Sequence, residues 1–130
     1  MAVKNLHRIE DLMNGIFQAE RAALVKFANR ETELRTQLAD LAAAKSENAQ
    51  QSGRENEPAF IAGADLQWHR WIDQRRELLN RELAQVLAQK MRQQEKLRLA
   101  FGRHQAAKSV VEVATKKAAI IANRQANYMS

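Results

Sequence analysis

Apolar residues recur along most of the chain at alternating steps of three and four, the spacing of a helix that packs along another helix. In the first half one extra step of four passes through Glu20, which predicts a heptad repeat with one stutter, and Glu31 interrupts the pattern with a second polar residue. The apolar members of this first stripe are Leu6, Ile9, Met13, Ile16, Leu24, Phe27, Leu34, Leu38 and Leu41.

The second half carries a similar stripe whose steps run four, three, four, close to an eleven-residue repeat. Beyond Phe101 the stripe weakens to His104, Lys108, Val111, Thr115 and Ala118. Its stronger part is Ile61, Ala64, Trp68, Ile72, Arg75, Leu79, Leu83, Val86, Lys90, Gln94, Leu97 and Phe101.

Turn-forming residues are scarce, with 4 Gly and 1 Pro in 130 residues, which argues against a multi-stranded sheet. The one stretch typical of a loop is 52–57, where Ser52-Gly53 can stop a helix and Pro58 can begin one. We therefore predict helix one over about 3–51 and helix two over about 58–127. Asp65, which follows Gly63, is an alternative start that extends the loop to 64. The predicted fold is all-α, a long antiparallel two-helix coiled-coil hairpin that occupies 1–130 as a single domain.

A turn near residues 57–58 also predicts which residues face each other. The small residues of 41–44 fall opposite Trp71 and Ile72, close to Trp68, and Gly15 falls level with Gly102. Such complementarity in size supports a hairpin over two independent helices. Residues beyond about 115 have no opposite helix in this register.

Charge is unevenly distributed along the chain, whose formal net charge is +6. Residues 1–52 hold 7 Lys and Arg against 7 Asp and Glu, whereas residues 83–130 hold 9 Lys and Arg against only Glu95 and Glu112. An acidic partner is expected for this basic end. The segment beyond 115 is both basic and apolar, so we expect it to dock against a partner.

Catalytic motifs are absent from the sequence. There is no Cys, the three histidines are scattered, and no P-loop, dinucleotide-binding or zinc-protease motif occurs. We therefore expect no enzyme activity, no catalytic, cofactor or metal site, and no small-molecule substrate. No apolar run reaches the length of a membrane span.

Two further features each have two interpretations. The basic residues of helix two spread around its circumference without interleaved aromatic residues, which favours a solvated surface over a nucleic-acid interface. Trp68 and Trp71 are either core residues against the alanines of 41–44 or contacts for a partner.

In its length, its basic character and its two-helix architecture, the chain resembles the FliJ/YscO proteins of type III export machines. The resemblance is most specific in 66–79 (LQWHRWIDQRRELL), where an aromatic residue, a few polar residues and an aromatic-aliphatic pair precede a helix-forming run with basic positions. The Gln-rich stretch 93–99 (QQEKLRL) is similar to the family's charged middle region.

The resemblance implies a non-enzymatic stalk that links an export ATPase ring to an export-gate protein, in the cytoplasm at the inner face of the membrane-embedded apparatus. It favours a flagellar system over a virulence-associated one, with export chaperones as further partners. The implied gate-side residues are Trp68, Trp71, Arg75, Leu78 and Glu82, of which Trp71 matches the family's leading aromatic residue. The proposed ATPase-side residues are Lys108, Lys116, Lys117, Ile120, Ile121 and Arg124.

Two other functions stay open at this point: a generic coiled-coil adaptor or chaperone, and a basic nucleic-acid-binding helical protein. A monomer and a four-helix dimer satisfy the same stripes equally well.

Overall fold

The computed structural model describes residues 2–51 and 58–129, and it describes side chains for residues 3–50 and 63–129. It contains two long helices, α1 (Ala2–Gln51) and α2 (Pro58–Met129), which pack against each other in opposite directions. The predicted all-α antiparallel hairpin is therefore confirmed. The predicted helix stop at Ser52-Gly53 lies outside the described residues.

α2 begins at Pro58, the earlier of the two predicted starts. The alternative start at Asp65 is wrong, because Gly63 and Asp65 both lie inside the helix. A Cβ added at Gly63 would meet open space, so this glycine costs only the ~1 kcal/mol of its backbone freedom. Asp65 does not cap its own helix: its carboxylate accepts a hydrogen bond from the Asn48 amide of α1 at 2.7 Å.

The seam of α1, meaning the row of buried and half-buried positions that faces α2, has no stutter. Its steps alternate three and four without a break, so that Glu10 and Phe17 lie in the seam and the predicted Ile9 and Ile16 are exposed. The seam residues are Val3, Leu6, Glu10, Met13, Phe17, Glu20, Leu24, Phe27, Glu31, Leu34, Leu38, Leu41, Lys45 and Asn48.

The seam of α2 is also a plain heptad from Leu79 onward, and the predicted eleven-residue repeat is wrong there. Small or polar residues occupy the seam in place of the predicted Gln94, Phe101, Lys108 and Thr115, which are all exposed. The seam residues are Leu79, Leu83, Val86, Lys90, Gln93, Leu97, Ala100, His104, Ala107, Val111 and Ala114.

The chain divides into two compact units, each built from one segment of α1 and one of α2. The loop unit is Lys26–Met91, and the terminal unit is Met1–Val25 together with Arg92–Ser130. Large aliphatic side chains fill the core of the loop unit. Leu34 and Ile72 are completely buried, and Leu34 clusters with Leu79 and Val86 against the half-buried Leu38, Leu41 and Leu83.

Ion pairs also join the two helices of the loop unit. The guanidinium of Arg30 binds the carboxylate of Glu82, and the ammonium of Lys90 lies 2.8 Å from the carboxylate of Glu31. The hydrogen bond from Lys90, followed by that from Arg35, lowers the pKa of Glu31 below its ordinary value of 4.5. These pairs connect residues more than fifty positions apart and so favour one register of the hairpin.

The terminal unit has a different interior, in which small and polar side chains occupy the seam of α2. Ala100 and Val111 are buried, and the buried Gln93 donates a hydrogen bond to the backbone carbonyl of Glu20 at 2.9 Å. On the α1 side, Phe17 is the largest seam residue of this unit. Its ring lies 5.6 Å from that of Phe101, centroid to centroid, as the predicted register requires.

The predicted level pairing of Gly15 with Gly102 does not bring the two backbones together. A Cβ added at either glycine would meet nothing within 4 Å, so neither is needed for close packing. In the described part of the chain, neither helix combines the length and the apolar character that crossing a membrane requires.

Candidate partner-binding surfaces

The five residues of the predicted gate-side set lie on one stripe of α2, which we call the tryptophan strip. They follow one another at steps of three and four, so their side chains project from the same side of the helix. The strip consists of Trp68, Trp71, Arg75, Leu78 and Glu82.

The two tryptophans of the strip differ in burial. Trp68 is half-buried, whereas Trp71 is 56% exposed and Leu78 is equally exposed. Trp71 is therefore not a core residue, which leaves one large aromatic ring open to solvent in the loop unit. Exposed aromatic residues on a helix are frequent anchors of protein interfaces.

Beside the tryptophan strip runs a shallow groove between the two helices of the loop unit. α1 contributes Leu41 and Ala44, as the predicted facing of 41–44 with Trp71 and Ile72 requires. The polar residues Gln37 and Asp40 border the same groove and were not among the predicted site residues. Only a register accurate to one residue could have identified them.

At the far end of the strip, the Glu82 carboxylate is already bound by Arg30 of α1. The strip therefore offers a ring, an aliphatic side chain and the Arg75 guanidinium rather than a free carboxylate. No ion pair involves Arg75 among the described residues.

The predicted ATPase-side set is only partly brought together. Lys117, Ile120, Ile121 and Arg124 share one side of α2, because they are three, four and seven positions apart. Lys116 lies at the border of this side, and Lys108 projects from the opposite flank of the helix. Every described residue from 115 to 129 is exposed, so this stretch, the basic tail, is an accessible apolar and basic surface.

A third surface was missed by sequence reasoning and lies on the terminal unit. Outside the basic tail, six apolar side chains on one flank of this unit are between 40% and 60% exposed, three from each helix. We call it the lateral apolar face, and it consists of Ile9, Leu12, Ile16, Leu99, Val110 and Val113.

Helix geometry places these six side chains on the same side of the terminal unit. With the seam residues as heptad positions a and d, all six occupy positions c and g. In an antiparallel helix pair the two g flanks adjoin each other, while the opposite e flank carries Phe101, which contacts Phe17. A shallow groove lined by Val110, Val113 and Lys117 marks the α2 half of the face.

The sequence contains a signal for this face, because two adjacent stripes of α1 compete for the interior position. Ile9 and Ile16 are more apolar than Glu10 but lie one position out of phase with the leucines of 24–41. Had the heptad been extended backward from those leucines without a stutter, Ile9 and Ile16 would have been assigned to the surface.

Known proteins offer no guide to these surfaces, since no protein-family model, curated protein or solved structure matches the chain. The described residues also hold no group of three His, Asp or Glu side chains placed to share a metal ion.

Proposed function

We propose that the chain is a non-enzymatic coiled-coil stalk of a type III protein export apparatus, flagellar or related, which couples an export ATPase ring to an export-gate protein. It would act in the cytoplasm at the inner face of the membrane, which it would contact only through its partners. The observation that carries the proposal is the separation of the tryptophan strip and the basic tail into different units of one helical hairpin.

The basic tail supports the ATPase side of this proposal. Its exposed isoleucines, Ile120 and Ile121, lie among Lys117 and Arg124 with no acidic residue in 115–129. A surface of this kind suits a ring whose inner loops are acidic and apolar, because opposite charge speeds the encounter and apolar contact retains the complex.

The tryptophan strip supports the gate side. Trp71 and Leu78 are exposed two turns apart on one stripe, and they fit a recognition mode in which an aromatic anchor enters a pocket of the partner. The same strip could receive an export chaperone, which is the third partner class in the proposal.

The proposal is tested by binding and ATP hydrolysis with the export ATPase from the same source. We expect the full chain to be retained by the ATPase and to stimulate hydrolysis. Charge reversal of Lys108, Lys116, Lys117 and Arg124 should abolish stimulation while helicity, measured by circular dichroism, stays unchanged.

The control reverses two exposed basic residues of the loop unit, Arg70 and Arg76, which leaves the basic tail intact. It should stimulate hydrolysis as the unmodified chain does. Failure of the unmodified chain both to bind and to stimulate the ATPase would rule the proposal out, and equal loss in the control would assign stimulation to overall charge.

An adaptor outside any export apparatus is the second candidate, and the lateral apolar face is the observation that favours it. An interaction surface on the terminal unit needs no ATPase. If the chain captures a helical partner but ignores the export ATPase, the adaptor function replaces the stalk.

Nucleic-acid binding has less support. In the terminal unit, Arg98 is engaged with Glu95 at 2.6 Å, and Arg103 and Lys108 project from different flanks. A phosphate-binding surface would show DNA affinity that falls steeply as salt rises, and we expect no such affinity at physiological salt.

A further inference from the structure

We infer that the lateral apolar face binds one acidic amphipathic helix of another protein, which completes a three-helix coiled coil with the terminal unit. The inference is independent of the proposed function, because it requires neither an ATPase nor an export gate.

The spacing of the apolar residues on this face indicates that its occupant is a helix. On α1, Ile9, Leu12 and Ile16 are separated by steps of three and four, as residues of a second seam would be. On α2, Val110 and Val113 continue the same stripe. Two adjoining helices that each present a heptad-spaced apolar row form a groove into which the apolar side of a third helix fits.

The interior of the terminal unit explains why this apolar row is left on the outside. Three of the seven seam positions that α2 contributes are alanines, namely Ala100, Ala107 and Ala114, and only Leu97 and Val111 are large aliphatic residues. The aliphatic side chains that would normally stabilise such a pair lie on the c and g flank instead. A third helix would bury them and complete the hydrophobic interior of the unit.

The charges around the face determine that the helix is acidic. Lys96, Arg103 and Lys117 occupy the g flank of α2 beside the apolar row, and no described acidic side chain forms an ion pair with any of the three. The neighbouring carboxylates are already engaged: Glu95 pairs with Arg98, and Glu20 of the α1 seam is in contact with Gln93. Carboxylates at the flanks of an incoming helix would pair with these cations, as e and g residues do in coiled coils.

The same charges argue against the other occupants. A second copy of the chain would bring the basic flanks of two terminal units together, and like charges across an interface are repulsive. An anionic lipid surface would attract the cations, but interfacial helices usually insert aromatic residues, and the six apolar residues of the face are all Ile, Leu or Val.

The experiment measures binding of a fluorescent peptide to the full chain by anisotropy. The peptide is a designed helix about four heptads long, with Leu at its a and d positions and Glu at e and g. A second peptide with Lys in place of Glu is the charge control. Each chain variant is checked for unchanged helicity by circular dichroism.

Two pairs of matched variants locate the binding surface. Val113→Asp is compared with Val25→Asp, since both valines are about half exposed but Val25 lies on the opposite flank of the terminal unit. Arg103→Glu is compared with Lys108→Glu, which lies on the Phe101 flank. The charge variants do not place a new polar group on the apolar row and so remain informative if an aspartate disturbs folding.

We expect the acidic peptide to bind and the basic peptide not to bind. Val113→Asp and Arg103→Glu should each weaken binding about tenfold or more, which corresponds to ~1.4 kcal/mol, while the two control variants change it less than about twofold. Binding should weaken at high salt but persist in part, because the apolar contact is not screened.

Four results would each overturn the inference. The acidic peptide could fail to bind, or all four variants could affect binding equally. Sedimentation could reveal a dimer that Val113→Asp dissociates, which would make a second copy the occupant. Finally, the chain could bind vesicles of anionic phospholipid through Val113 while ignoring the peptide, which would make the face a lipid-binding surface.

Discussion

The loop unit and the terminal unit use the same heptad geometry but place their large apolar side chains differently. In the loop unit Leu34 and Ile72 are completely buried, and Trp71 and Leu78 are exposed. In the terminal unit more of the large apolar side chains are on the surface, and alanines occupy three of the seven seam positions of α2. The loop unit also has ion pairs that join its two helices. This difference indicates that the loop unit supplies most of the stability and that the terminal unit keeps apolar surface available for a partner.

The largest expected difference between the two units comes from truncating one leucine in each of them. Leu79→Ala removes a buried side chain from the core cluster, and we expect it to lower the free energy of unfolding by about 2–5 kcal/mol. Leu99→Ala, on the lateral apolar face, should lower it by less than about 1 kcal/mol because that side chain is already 44% exposed.

Urea denaturation followed by circular dichroism measures both changes. An equal loss of unfolding free energy in the two variants would contradict the claim that the loop unit supplies most of the stability. A larger loss for Leu99→Ala would contradict it as well. The slope of the unfolding free energy against urea should stay the same in both variants, which shows that the native state has kept its compactness.

The tryptophans separate stability from binding within the loop unit. Trp68→Ala should lower the free energy of unfolding by about 2 kcal/mol, because the half-buried ring lines the groove with Leu41 and Ala44. Trp71→Ala should lower it by about 1 kcal/mol or less and, under the proposed function, should weaken binding of the proposed gate partner about tenfold or more.

Thermal unfolding and a binding titration with the gate protein distinguish the two roles. If Trp71→Ala destabilises the chain more than Trp68→Ala does, the exposed ring is structurally important and the gate contact loses its support. If neither tryptophan affects gate binding, the tryptophan strip is not the gate-side surface.

The fold followed from the sequence, because scarce glycine and proline together with three-four spacing leave few alternatives to a helical hairpin. The phase of each helix was harder to assign. Local hydropathy favours burial of Ile9 and Phe101 over burial of Glu10 and Ala100. The regular geometry of a continuous helix, however, sets which positions face the partner helix along its length. The leucines of α1 from 24 to 41 determine the phase of the whole helix, and they carry Glu10 and Phe17 into the seam.

The candidate sites were likewise predictable only where they did not depend on the phase of the helix. The residues of the tryptophan strip were implied by the resemblance to the FliJ/YscO proteins, and their steps of three and four place them on one stripe whatever the phase of the seam. The lateral apolar face was missed because its isoleucines had been assigned to the interior. Lys108 was grouped with the basic tail from charge alone, and only the correct heptad places it on the other flank.

A smaller difference between the units is expected in how the stability contributed by their carboxylates depends on pH. The pKa of Glu31 is lowered, first by Lys90 and then by Arg35, so its folded-state pKa is below its ordinary value of 4.5. Its contribution to stability is therefore complete above pH 4.5 and is lost as the pH falls from that value through the folded-state pKa.

Glu31→Gln tests this sign. We expect it to lower the melting temperature at pH 7 and to have progressively less effect as the pH falls below 4.5. Glu95→Gln is the matched variant in the terminal unit, where Arg98 likewise lowers the pKa of Glu95. It should change the melting temperature less, because both partners are exposed and belong to the same helix.

Amide hydrogen exchange of the free chain tests whether most of the stability resides in the loop unit while the terminal unit holds most of the accessible apolar surface. We predict the slowest exchange in 34–41 of α1 and 72–86 of α2, with faster exchange in 9–17 and 100–114, because the smaller interior of the terminal unit opens at lower free energy. Exchange in 100–114 as slow as in 72–86, or slower, would contradict the claim.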